Sequence, residues 1–150
     1  HLHCGYSKKA IEVAEDNGKF DARTSILVFP FIKDVEETFR DLNKCLNKNG
    51  YICFAVFNEQ WVHEALKRNI DYVQPKNTSG IKRLVFDFGE GRKADVFHRS
   101  LSEYDEMLTG MGFKRLLEEY PVFPEKFITK IYPGIPKEVS EYMILGYQKN

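Results

Sequence analysis

The sequence predicts an α/β fold whose sheet runs parallel at first and ends on an antiparallel strand. Three observations carry this. Helix-period and strand-period segments alternate through the first 67 residues. The run Tyr51–Phe57 is apolar on both faces, as a central parallel strand covered by helices must be. Two hairpin-like runs, a capped helix and two further strands then follow, the last two joined by a loop bearing Pro121, Pro124, Pro133 and Pro136.

The first helix is expected over Ser7–Asn17, with Ser7 as N-cap, Ala10, Ile11 and Ala14 on one face and Gly18 as the stop. Arg23–Phe29 reads as a buried strand closed by Pro30. Asp34 with Glu37 three residues later opens the second helix like a capping box. Val35, Phe39, Leu42 and Leu46 share its face, and Asn49-Gly50 ends it. The strand Tyr51–Phe57 and a helix over Glu59–Lys67 come next. A polar linker with Pro75, Asn77 and Gly80 leads to the strands Ile81–Phe88 and Lys93–His98, joined by Gly89-Glu90-Gly91 in a hairpin turn. Ser100 and Glu103 make another capping box, for a helix carrying Leu101, Tyr104, Leu108 and Met111 and stopped by Gly112. Strands over Phe113–Glu119 and Tyr142–Gln148 close the chain.

Composition narrows the function classes. The 150 residues suit one domain, and 43% apolar with 14% aromatic content supports a packed core. Lysine plus arginine equals aspartate plus glutamate, 22 each, so net charge provides no pull toward nucleic acid or an anionic membrane. No apolar run approaches the ~18 residues of a membrane span, and no signal peptide is visible. Cys4, Cys45 and Cys53 are odd in number and unpaired in spacing, which reads as reduced thiols in the cytoplasm.

The stretch Phe20-Asp21-Ala22-Arg23-Thr24-Ser25-Ile26-Leu27-Val28-Phe29, then Lys33-Asp34, then Leu42, Leu46 and Asn49-Gly50-Tyr51, resembles the fourth strand, following helix and fifth strand of class I S-adenosylmethionine-dependent methyltransferases. Phe97-His98-Arg99-Ser100-Leu101-Ser102-Glu103-Tyr104, then Leu108, Gly112-Phe113 and Glu119-Tyr120-Pro121, is similar to the segment after the fifth strand in the branch that methylates small molecules. Ser7-Lys8-Lys9-Ala10-Ile11-Glu12-Val13-Ala14 resembles the helix after the family's second strand.

The resemblance implies a Rossmann-like methyltransferase sheet, incomplete at the N-terminus, within a single domain over residues 1–150, and residues 58–99 as a lid and substrate-wall insertion. It implies S-adenosylmethionine as cofactor and a small molecule as methyl acceptor. Ser25, Ile26 and Leu27 would lie beside the cofactor, and Phe29, Pro30 and Phe31 would begin the substrate pocket, where an aromatic ring favours a sulfonium by on the order of 1 kcal/mol. For Phe29 and Phe31 the alternative is ordinary core. His98 is the candidate base and Arg99 the candidate fork for a substrate carboxylate, against a surface His–Arg pair flanking a cap. Tyr104 and Tyr6 are further pocket candidates, against packing.

The family's glycine-rich cofactor turn and third strand have no counterpart here, and Gly5 stands where an acidic residue usually holds the ribose hydroxyls. Losing the sheet centre would leave Arg23–Phe29 with an open apolar edge, which invites pairing with a second copy. A non-catalytic methyltransferase-like module or fragment acting through protein association is therefore the alternative function, and an unrelated α/β enzyme a third for which no motif speaks. Other signals carry less. Gly89-Glu90-Gly91-Arg92-Lys93-Ala94 fits G-x-G-x-x-A, but a strand follows it where a dinucleotide turn needs a helix. His1, His3 and Cys4 lack a rigid frame for a metal, so none is expected. His63-Glu64 lacks a second histidine.

Overall fold

A computed structural model describes residues 7–68, 73–78, 81–126 and 134–150. His1, His3, Cys4, Gly5, Tyr6, Gly80 and Pro133 lie outside the described residues. The elements in chain order are α1 (Ser7–Asn17), β1 (Phe20–Ile26), a 3₁₀ turn (Phe29–Phe31), α2 (Val35–Cys45), β2 (Leu46–Phe57), α3 (Glu59–Lys67), β3 (Val73–Thr78), β4 (Ile81–Asp87), β5 (Lys93–His98), α4 (Leu101–Gly110), β6 (Phe113–Glu119) and β7 (Tyr142–Lys149).

The main sheet has the order β1-β2-β7-β6. β1 and β2 run parallel, while β7 runs antiparallel to both β2 and β6. β3, β4 and β5 form a second, antiparallel sheet. The parallel start and antiparallel end agree with the sequence expectation. The polar linker does not: its residues Val73–Thr78 pair with β4 as a strand, Pro75 included. Proline is confined to edge strands, and β3 is one in this sheet.

Local chemistry explains most boundaries. Ser100 and Glu103 complete a full capping box at α4, and Gly112, at φ +85°, stops it. Asp34 occupies the N-cap of α2 without a side-chain capping bond, so the capping box expected there does not form. Ser7 is the first helical residue rather than a cap; its Oγ donates to Asp41 Oδ2 at 2.9 Å and ties α1 to α2. α2 ends at Cys45, before the expected stop, and Asn49-Gly50 lies inside β2. A Cβ at Gly50 would stand 2.9 Å from Asn47 O and 3.2 Å from Asp21 O, so glycine is required.

Parallel register sets Arg23 beside Ile52 and Ser25 beside Phe54 on one sheet face. That face is packed by α2 and α4. Phe39, Phe54, Tyr104 and Tyr147 form its aromatic centre, with Phe54 and Tyr147 stacked at 5.9 Å. On the opposite face Phe57 and Tyr142 are covered by Trp61 and Phe86 of the smaller core built from α3 and the second sheet. The rest of that face is open among the described residues: Tyr51 is 47% exposed and Ile26 75%. Tyr51–Phe57 is therefore helix-covered along its length on one face and only at Phe57 on the other, contrary to expectation, and its burial alternates. β1 is shifted three residues earlier than Arg23–Phe29 and is half-exposed, because it is the sheet edge and its chain turns at Leu27.

Candidate functional site

Where β1 ends, the backbone reverses sharply. Leu27 takes φ +54°, a left-handed conformation unfavourable for a side chain of its size, while its N–H still donates to Ala55 O at 3.0 Å. Backbone strain of this kind costs about 1–3 kcal/mol and is held only where surrounding structure enforces it. Here the enforcement is the 3₁₀ turn, whose proline lies in its first positions and whose Phe29 is driven into the core. Phe29 packs edge-on against Phe39 at 4.8 Å and Phe54 at 5.1 Å.

A cavity of about 680 Å³ opens between α1, the core face of β1, the 3₁₀ turn and α2. That size falls within the range of small-molecule sites. Four of the sequence-predicted residues line it: Ser25, Ile26, Phe29 and Phe31. Phe29 is core and cavity wall together, so the two sequence readings of it are compatible. Leu27 is outside the lining and acts through the strained turn.

Sequence reasoning missed Arg23, the only charged residue of the lining among the described residues. Its guanidinium stacks over the Phe20 ring at 4.2 Å, yet Nε and Nη2 are buried without a hydrogen-bond partner, and so is Ser25 Oγ. Burial lowers the Arg23 pKa, with only the Cys45 sulfur pulling it back up. A lone arginine in an otherwise neutral strand interior was the available signal.

His98, Arg99 and Tyr104 lie behind the 3₁₀ turn rather than in the cavity lining. The surface His–Arg pair does not occur: both side chains are buried. Arg99 Nη1 donates to Phe97 O at 3.1 Å, and Nη2 to Ile32 O at 3.0 Å and Lys33 O at 2.5 Å. Those donors brace the segment after the turn and are not open to a carboxylate. Tyr104 is 1% exposed between Phe39 and Phe54. Burial pushes its hydroxyl up to about 12, with the nearby Arg99 guanidinium opposing.

No family model and no curated protein matches the chain in sequence. Solved structures match its fold. An S-adenosylmethionine-dependent methyltransferase from Mesorhizobium loti superposes with TM-score 0.59 at 17% identity, over 99% of this chain and 65% of that one. Another from Clostridium acetobutylicum gives TM-score 0.55 at 11% identity, over 100% of this chain and 61% of its own. A Listeria monocytogenes structure gives TM-score 0.64 at 16% identity, over 88% and 62%. The chain thus spans less than two-thirds of the length of each. Its mixed sheet, its element order and these superpositions give it the Rossmann-like fold of class I S-adenosylmethionine-dependent methyltransferases.

Proposed function

We propose that the working form of this protein transfers a methyl group from S-adenosylmethionine to a small-molecule acceptor, using the cavity at the carboxyl end of β1. The observation that carries the reading is the strained turn at Leu27 beside a cavity of ligand size, since ligands of open α/β sheets bind outside the carboxyl ends of the strands. Ser25, Ile26 and Leu27 flank the cofactor in this reading. Phe31, the more exposed of the two rings, offers a face to a cation, with Phe29 packed behind it in the core.

The bound cofactor would supply an electrophilic methyl group, leaving alignment and water exclusion to the protein. His98, the base expected from sequence, is buried behind the 3₁₀ turn and outside the cavity lining, so this reading gives it no contact with an acceptor there. Arg99 and Tyr104 hold the turn from behind, a positioning part in place of the substrate contact expected from sequence. The lining fits the cofactor in part: among its described residues there is no carboxylate to take ribose hydroxyls. The same reading puts the protein in the cytoplasm, where Cys45 and Cys53 remain thiols. No helix among the described residues is long and apolar enough to cross a membrane.

A second reading, a non-catalytic module acting by association, is favoured by the edge of β1, unpaired among the described residues, with Ile26 75% exposed at its end and Val28 51% exposed just beyond it. Calorimetric titration with S-adenosylhomocysteine separates the two. Methyl transfer expects micromolar binding, about −8 kcal/mol, weakened when Phe31 is replaced by alanine. Absence of heat at millimolar ligand would leave the association reading.

A further inference from the structure

We infer that the cavity beside β1 selects an uncharged, mainly apolar small molecule, and that this is the class of the methyl acceptor. That the occupant is the acceptor rests on the methyl-transfer reading; its class rests on the cavity walls alone. Phe29 and Ile52, both buried, close the inner side of the cavity. Ile26, Val28 and Phe31 carry the apolar surface from there out to solvent. Single exposed apolar side chains are ordinary, but these three share one concave surface with an apolar interior. A ligand that covers them removes apolar area from water, which is the main driving force on offer here. A volume of about 680 Å³ has room for a fused two-ring body.

Charge decides the rest. The lining holds no carboxylate among the described residues, so a cation finds no counter-charge. Its one guanidinium, Arg23, is closed to an anion as a fork. Both edges that could take two parallel hydrogen bonds run through Nη2, and Nη2 and Nε are buried beneath protein atoms. The side-chain hydroxyls of the lining include Thr24 and Thr38, while Ser7 Oγ already donates to Asp41. A hydroxyl gives and accepts hydrogen bonds without charge, so it suits an alcohol or a phenol. A charged group held against these walls would lose hydration without a compensating partner.

The test uses three probes built on one body: naphthylmethanol, which is neutral, naphthoate, an anion, and naphthylmethylamine, a cation at neutral pH. Each is titrated by calorimetry into the whole chain. The alcohol should bind at least about ten-fold tighter than either ion, a difference of about 1.4 kcal/mol. Ala10→Trp fills the cavity from α1 and should abolish binding of the alcohol, with thermal melting showing that the fold is kept. Thr38→Asp supplies the absent carboxylate and should bring the cationic probe level with the alcohol or ahead of it. Equal affinity of the native chain for all three probes, or a preference for an ion, would overturn the inference. So would failure of the alcohol to bind at millimolar concentration, or binding that survives in folded Ala10→Trp. If Ala10→Trp does not fold, the native comparison and Thr38→Asp still decide. Sedimentation covers the rival occupant: alcohol binding lost as the chain dimerises would assign the apolar walls to a second copy and overturn the inference. The probes are titrated without S-adenosylhomocysteine, so their failure leaves methyl transfer standing. Alcohol binding with no heat from S-adenosylhomocysteine would instead remove the acceptor role and keep the ligand class.

Discussion

β1 and β2 lie side by side in parallel register, and they behave as different materials. β2 is bonded on both sides and sends Ile52, Phe54 and Val56 into the main core. Among the described residues β1 is bonded on one side, and at the positions in register with Ile52 and Phe54 it carries Arg23 and Ser25. The same sheet face is thus dry aromatic packing at one strand and an unfilled cavity with unpartnered polar atoms at the next, 4.8 Å or so away. The two arginines repeat the contrast. Arg99 closes three hydrogen bonds to carbonyls and locks the 3₁₀ turn, whereas Arg23 closes none through its buried Nε and Nη2. Dry packing resides in the β2 region, and the cavity with its unpartnered polar atoms resides at β1.

The largest effect should come from cutting the dry side. Phe54→Ala removes a ring in contact with Phe29, Phe39, Tyr104 and Tyr147, and a loss of about 3–5 kcal/mol is expected in urea denaturation. Ser25→Ala, at the register partner, should stay within about 0.5 kcal/mol. Comparable losses at the two positions would erase the distinction between the strands.

Alkaline pH probes the same core. The Tyr104 hydroxyl is raised to about 12 in the folded protein against about 10 in the unfolded chain. Its raised value means that the stabilising contribution is complete below pH 10 and is lost as pH climbs through 12. Two units correspond to about 3 kcal/mol. Tyr104→Phe should flatten this part of the stability profile between pH 10 and 12, and an unchanged slope would mean that the hydroxyl is not enclosed.

Arg99→Met comes next. It leaves the carbonyls of Ile32, Lys33 and Phe97 without these donors, and about 2 kcal/mol should be lost in the same denaturation assay. The matched change at Arg23 is expected to be neutral or stabilising, so the difference between two Arg→Met variants measures directly how unlike their surroundings are.

Legibility in sequence follows the same divide. α3, α4 and β6 were predictable to the residue or nearly so, because caps, glycine stops and apolar period all point one way: Ser100 with Glu103, Gly112, and the Trp61-Val62-Ala65 face. β1 was misplaced by three residues, because Val28 and Phe29 look strand-like and nothing in the local pattern announces a left-handed Leu27. The open face of β2 was equally hidden. Cys53 and Ala55 are apolar whether or not a helix covers them, so composition reads as burial where the structure has half-exposure. The cavity was half legible: Ser25, Ile26, Phe29 and Phe31 line it, while Arg23 was passed over because its meaning depends on a missing partner, which only packing reveals. Arg99 was singled out for the right chemistry in the wrong place, since the carbonyls that occupy it come from residues 66 and 67 positions away.

The smallest expected change in stability tests the wet side. Ile26 lies at the last position of β1 and is mostly exposed, so Ile26→Lys should alter unfolding by no more than about 0.5 kcal/mol. Its effect on association should be of another order. A lysine on an edge strand opposes pairing with a second strand by burying a charge in any continued sheet. If the free edge recruits a second copy, sedimentation of the native chain should show a concentration-dependent dimer, and Ile26→Lys should return it to monomer with the fold intact. A native chain that stays monomeric at high concentration would mean that the edge of β1 does not pair with a second copy. The contrast between the two strands would then lie wholly in the cavity.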